Sequence, residues 1–179
     1  MRQQNVGLTL IEMMIVTALL SIFSIFIVNL IVVTQKAWTI EHTAVPIRNE
    51  AKRSLEVMAK ELREGDPSAP GGVAIGGTGN SQNITFSVPN QVSQTSILSW
   101  RQVQFTHQTD SAQCSNNTQI TPCVTRTTNG TTAIIGRNIN SLQFTQANNI
   151  VTATVGTSKA TPEGATLQTT LSSQVRLRN

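Results

Sequence analysis

From Leu8 to Val33 the chain carries 26 residues with a single charge, Glu12. As an α-helix this run would be ~39 Å long, enough to cross the ~30 Å hydrocarbon core of a bilayer. It exceeds the apolar region of an ordinary secretory signal, about 7–15 residues, and no A-x-A-like site follows it. The segment before it, Met1 to Gly7, is polar with one base, Arg2. Thr17, Ser21 and Ser24 follow i, i+4, i+7 spacing. Such a stripe of small residues suits close approach of membrane helices, or its hydroxyls bond their own helix backbone. Glu12 needs a partner or access to water, because a carboxylate at a helix centre in lipid costs roughly 2.5–3.5 kcal/mol.

The residues around that acid carry a resemblance. Gly7-Leu8-Thr9-Leu10-Ile11-Glu12, followed by Met13-Met14-Ile15-Val16, resembles the cleavage signature of type IV prepilins and type II secretion pseudopilins. The shared features are a short basic leader, Gly before the cut, an apolar residue after it, and Glu fifth in the mature chain. The resemblance implies cleavage between Gly7 and Leu8 by a prepilin peptidase at the cytoplasmic face, with N-methylation of Leu8. It implies that Glu12 pairs with the N-terminal amine of a neighbouring subunit during assembly. It also sets residues 1–7 as leader, 8–33 as a single transmembrane helix in the inner membrane, and the C-terminal part as periplasmic. Lys36, Arg48, Lys52 and Arg53 after the run outnumber Arg2 before it, so loop charge does not yield that orientation. The chain departs from the family in two places: Leu8 stands where Phe is commoner, and Asn29 where many major pilins have Pro.

Charge divides the rest. Residues 36–66 hold 12 of the 22 charged side chains, six of each sign. Ile47, Ala51, Leu55, Met58 and Leu62 step by 4, 4, 3 and 4, one apolar face of a helix. Residues 34–66 are therefore expected to continue the helix, with Glu56 and Lys60 as an i,i+4 pair. Pro46 is expected to kink or interrupt it, and Gly65, Asp66 and Pro67 to stop it.

Residues 67–179 read as a β-rich domain. Gly71-Gly72 and Gly76-Gly77-Thr78-Gly79 suggest a flexible connection; a phosphate loop would need a Lys-Ser/Thr ending, which is absent. Ile84, Phe86 and Val88 alternate with polar residues as in a half-buried strand. Further strands are expected at Ile97–Thr106, Ile120–Thr127, Ser141–Thr145, Ile150–Val155 and Leu167–Leu177, with turns at Asn129-Gly130 and Asn148-Asn149. Phe86, Trp100, Phe105 and Phe144 take core positions in this scheme. The expected fold is α+β, a long helix whose second half packs on an antiparallel sheet. This order resembles the larger minor pilins and the J-type minor pseudopilins.

Cys114 and Cys123 enclose eight residues, and in an exported domain they are expected to form a disulfide. A metal site with His107 is the competing reading, but it lacks a fourth ligand and paired C-x₂-C spacing. No G-x-S-x-G, H-E-x-x-H or EF-hand pattern appears, and residues 67–179 hold only two acids, Asp110 and Glu163. Neither an enzyme, a cofactor nor a calcium cage is expected. The function implied is a minor pilin or pseudopilin that initiates or caps a filament. Its partners would be other subunits, the inner-membrane assembly machinery and membrane lipid. The alternative is a tip module that contacts nucleic acid or a surface through Arg101, Arg126, Arg137, Lys159, Arg176 and Arg178, since Arg suits phosphate.

Overall fold

One helix takes in both the all-apolar run and the amphipathic stretch after it. In the computed structural model, which describes residues 9–92, 96–109, 112–116, 119–162 and 164–178, α1 runs over Leu10–Glu64. Pro46 lies inside α1 and does not interrupt it, so the interruption that was one of its two expected effects is absent. Proline removes one i→i−4 bond; here the turns on both sides remain helical, and the face beginning at Ile47 is buried one residue later. The helix stops at Gly65, whose N–H donates to the Leu62 carbonyl at 3.1 Å. Asp66 Oδ1 then accepts from the Ser68 N–H and hydroxyl, both at 2.8 Å, a local turn that competes with further helix.

Contacts divide the chain into Met1–His42 and Thr43–Asn179. Within the first unit every side chain from Leu10 to Val33 is exposed. Helix α1 is long and apolar enough there to cross a membrane.

In the second unit Ile47, Ala51, Leu55, Met58 and Leu62 are all buried, as the spacing predicts, and Ser54 and Ala59 join them. Their cover is a sheet of strands β1 (Val73–Thr78), β2 (Ser81–Val92), β3 (Ile97–Gln108), β6 (Cys123–Thr128), β7 (Thr131–Arg137), β8 (Ile139–Ala147), β9 (Ile150–Ala160) and β10 (Thr166–Arg176). A 3₁₀ turn at Ala112–Cys114 leads into a small ribbon of β4 (Ser115–Asn116) and β5 (Gln119–Ile120). The main sheet has the order β10-β9-β8-β2-β3-β6-β7, with β1 paired to β2. Ile84, Phe86, Val88, Val103, Phe105, Phe144 and Val155 form one core with the helix face. Each large side chain so buried stabilises the unit by ~1.5–3 kcal/mol.

Several expectations change. The sheet is antiparallel except where β2 meets β8 in parallel at Ser81 and Leu142. Residues 73–78 are a strand, not a flexible connection: β1 and β2 form a hairpin closed by Gly79-Asn80. Only Gly79 (φ 62°) of those two turn residues has a positive φ, the requirement of a type II′ turn that matches sheet twist. The stretch 120–127 is two strands, separated at Thr121-Pro122 because proline cannot donate to a ladder. Strand β7 falls outside the strands expected from sequence; its register shifts between Val124 and Thr125 of the partner, so that Ile135 is an extra residue and breaks the alternation. Trp100 is half-buried rather than a core residue, whereas Phe86, Phe105 and Phe144 are in the core. Glu56 pairs with Lys52 at 3.8 Å, one turn back, not with Lys60.

Candidate functional site

Helix α1 begins with a reciprocal cap. Thr9 Oγ1 accepts from the Glu12 N–H at 3.4 Å, while Glu12 Oε2 accepts from the Thr9 N–H at 3.0 Å and the Thr9 hydroxyl at 3.1 Å. This is the capping box, in which two orphan donors of a helix start are satisfied together. Thr9-Leu10-Ile11-Glu12 is the T-x-x-E pattern of such a cap, a local role for the acid beside the lipid and neighbouring-amine roles expected from the sequence. A carboxylate there also meets the positive end of the helix dipole. Among the described residues only Oε2 of Glu12 is engaged, which leaves Oε1 able to accept from another donor. Gly7 and Leu8, the expected processing residues, lie outside the described residues.

Above the cap, the hydroxyl stripe is satisfied within its own helix. Thr17 donates to the Met14 carbonyl at 3.0 Å, Ser21 to Thr17 at 2.8 Å and Ser24 to Leu20 at 2.8 Å. With the hydroxyls turned onto the backbone, the stripe presents small, nearly apolar relief, and the neighbouring Leu19, Leu20, Phe23 and Phe26 stand exposed beside it.

The cysteines are joined. Cys114 and Cys123 form a disulfide with Cα atoms 5.7 Å apart, and both are fully buried. A disulfide sulfur is no thiolate ligand, so the metal reading with His107 falls away. His107 instead ties three strands. Its Nε2 lies 2.6 Å from the Ile139 carbonyl, which only accepts, so Nε2 carries a proton; Nδ1 lies 2.9 Å from the Ser81 hydroxyl. The ring thereby links β3 to β2 and β8 beside the parallel bridge. No group of three or more metal-ligating side chains occurs among the described residues.

The basic side chains expected to contact an external anion are partly committed. Arg126 pairs with Glu61 of α1 at 2.6 Å and Arg101 with Glu64 at 3.7 Å. The Arg137 guanidinium donates to the Cys114 carbonyl at 3.0 Å and that of Ser115 at 3.3 Å, and its backbone N–H reaches Glu50 Oε2 at 3.5 Å. Lys159, Arg176 and Arg178 remain exposed. Asp110 and Glu163 lie outside the described residues.

With this geometry in hand, comparison adds no relative: no protein-family model, curated protein or solved structure matches the chain.

Proposed function

We propose that the chain is a minor subunit of a type IV pilus or type II secretion pseudopilus, held in the inner membrane as a single-pass protein until it enters a filament that it helps to initiate or cap. One observation carries the reading. A capping box at Thr9–Glu12 opens, directly after the Gly7-Leu8 junction, an apolar helical run that buries nothing against its own chain. The resemblance would put the mature N-terminus at Leu8, four residues before Glu12, and a helix that opens at Thr9 suits an acid with a role near that end. The β-rich unit on the helix's second half supports the same reading, because a pilin-like subunit needs a globular part outside the bilayer. The nucleic-acid alternative draws little support, since Arg101, Arg126 and Arg137 are spent inside the domain.

In this reading Glu12 has two duties in sequence. In the lone subunit it caps its own helix; in the filament its carboxylate meets the amine of a neighbour's Leu8. The duties separate by substitution, because a capping box works with Gln as well as Glu. Glu12→Gln should keep the helix start and membrane level but lose incorporation, since a neutral amide leaves the partner amine without a counter-charge, a loss of ~3–5 kcal/mol. Glu12→Ala should lose both the cap and the pairing, with membrane level unchanged because a charge is removed from lipid. Co-purification with partner subunits at matched expression decides it; full incorporation of Glu12→Gln refutes the assembly role.

Processing is the direct test of the class. Intact-mass measurement on membrane-extracted protein should find residues 1–7 removed, so that loss of Arg2 lowers the formal charge from +4 to +3. A full-length mass in cells with active prepilin peptidase, or a cut after the apolar run, would overturn the proposal.

A further inference from the structure

The main strand order, beside which β1 pairs only with β2, ends in two unlike strands, β7 and β10. Strand β7 has seven residues, a bulge at Ile135, and Arg137 at its end donating to the Cys114 and Ser115 carbonyls. Bulges, short length and a covering segment are how proteins keep a sheet edge from recruiting another chain. Among the described residues, strand β10 has none of these. It pairs with β9 through 11 consecutive residues without a register shift, and it contains no Pro, no Gly and no charge before Arg176.

The direction of its backbone groups follows from its flanks. The Leu177 N–H donates to the Asn149 carbonyl at 2.8 Å, and the Thr161 N–H to the Ala165 carbonyl at 2.7 Å. Both pairs belong to the β9–β10 register, and in an antiparallel ladder bonded and non-bonded pairs alternate. The odd-numbered residues of β10 therefore face β9. Thr166, Gln168, Thr170, Ser172 and Gln174 direct N–H and C=O away from the sheet.

Beside this edge lies a groove of about 770 Å³ between β10 and α1, bordered by Leu171, Ser172 and Ser173. Consecutive strand residues point to opposite faces, so three in a row border a groove only along the strand's edge. The helix side supplies Arg48, Lys52, Lys60 and Arg63 against one acid, Glu56. Glu56 lies 3.8 Å from Lys52, while Arg48, Lys60 and Arg63 have no ion pair among the described residues.

We propose that β10 accepts an extended, acidic segment of a partner protein as an added strand, its backbone paired to the even residues of β10 and its carboxylates turned toward Arg48, Lys60 and Arg63. Strand addition supplies affinity through main-chain bonds and specificity through alternate side chains; the basic wall selects the charge. A nucleic acid is the poorer occupant, because among the described residues no aromatic side chain lines the groove for base stacking. The proposal rests on the second unit alone and not on the filament reading.

The test uses the full chain in detergent micelles. The probe is a fluorescein-labelled peptide of about ten residues that alternates Glu with Val and Thr, long enough to form one strand. Anisotropy should report a Kd of ~10–100 μM, weaker at high salt, and no binding of the same peptide with Lys for Glu. Ser172→Pro removes one outward N–H and leaves the ladder to β9 intact; it should weaken binding at least ~tenfold, and Ser172→Ala should not. Reversal at Arg48→Glu with Lys60→Glu should transfer preference to the Lys peptide. If Ser172→Pro fails to fold, N-methylation of alternate peptide amides breaks the same bonds from the other side and should abolish binding. Equal binding of the acidic peptide by folded Ser172→Pro, or by the N-methylated peptide, overturns the proposal. So does absence of binding, and so does an oligothymidine bound more tightly than the peptide with no dependence on Ser172. Failed leader processing would leave this binding unchanged, so the two readings fall separately.

Discussion

The two stretches of helix α1 solve opposite problems with one backbone geometry. Residues 10–33 are apolar on every side and entirely exposed; residues 47–62 are apolar on one stripe, and that stripe is buried under the sheet. A helix apolar all round needs an apolar surrounding, whereas an amphipathic one needs a single covered face. The first stretch is exposed along its whole length among the described residues, and in the function proposed above lipid or other subunits would surround it. The second carries its own cover. The difference teaches that hydrophobicity alone does not say what a helix buries against; the angular distribution of charge around it does.

A charge placed in each stretch breaks this comparison most forcefully. Met58→Lys sets an ammonium at a site with no exposed surface, and the β-rich unit is expected to lose more than ~4 kcal/mol and unfold in denaturant titration followed by circular dichroism. Leu20→Lys should leave the melting of that unit unchanged and instead lower membrane insertion, at a cost of roughly 2.5–3.5 kcal/mol. A drop in the unit's Tm with Leu20→Lys would show that the two stretches are not independent.

Smaller changes sharpen how the second stretch is covered. Cys114 and Cys123 hold the segment that Arg137 grips, and Arg137 in turn reaches Glu50 of the helix. Replacing both cysteines with Ala should cost ~2.7 kcal/mol in the chain-entropy model for a ten-residue loop, with thiol labelling of the parent finding no reactive sulfur. An unchanged denaturation midpoint would mean the loop adds nothing to the cover.

Least in size is the effect at Gly136, where β7 passes so close to the helix that a Cβ would collide with Ser54 and with Ile139. Gly136→Ala is expected to destabilise by about 1–3 kcal/mol through overpacking. Adding Ser54→Gly should recover part of the loss, because Ser54 is the obstacle. No recovery in the double variant would shift the strain to Ile139.

Much of this fold was legible because its signals are local. The five-residue helix face, the alternation at Ile84, Phe86 and Val88, and the Asn129-Gly130 turn each depend on a few neighbours in sequence. Asn129 and Gly130 both adopt positive φ, 50° and 77°, as the type I′ turn requires. The misreadings arose where distant partners decide. The glycines at 76–79 look flexible until β2 pairs with them, and Ile134-Ile135 has no strand period until a bulge absorbs one residue. His107 binds groups 26 and 32 residues away, contacts that no spacing rule reveals. At the helix start the cap is local too: T-x-x-E at Thr9–Glu12 lies within four residues.

The strand order carries a consequence for the time course of folding. Helix α1 is made first, but its cover arrives in instalments: β2 and β3 by residue 108, and β8 to β10 only between residues 139 and 176. Val175 and Leu177, nearly the last residues described, still belong to the buried core, and the Arg178 N–H closes on the Gly65 carbonyl at 3.1 Å. Pairings between segments so far apart in the chain are slow to form, since loop-closure entropy must be overcome before contacts reward it. The stripe from Ile47 to Leu62 therefore stays only partly covered until the last strand has emerged, a window in which exposed apolar surface favours aggregation.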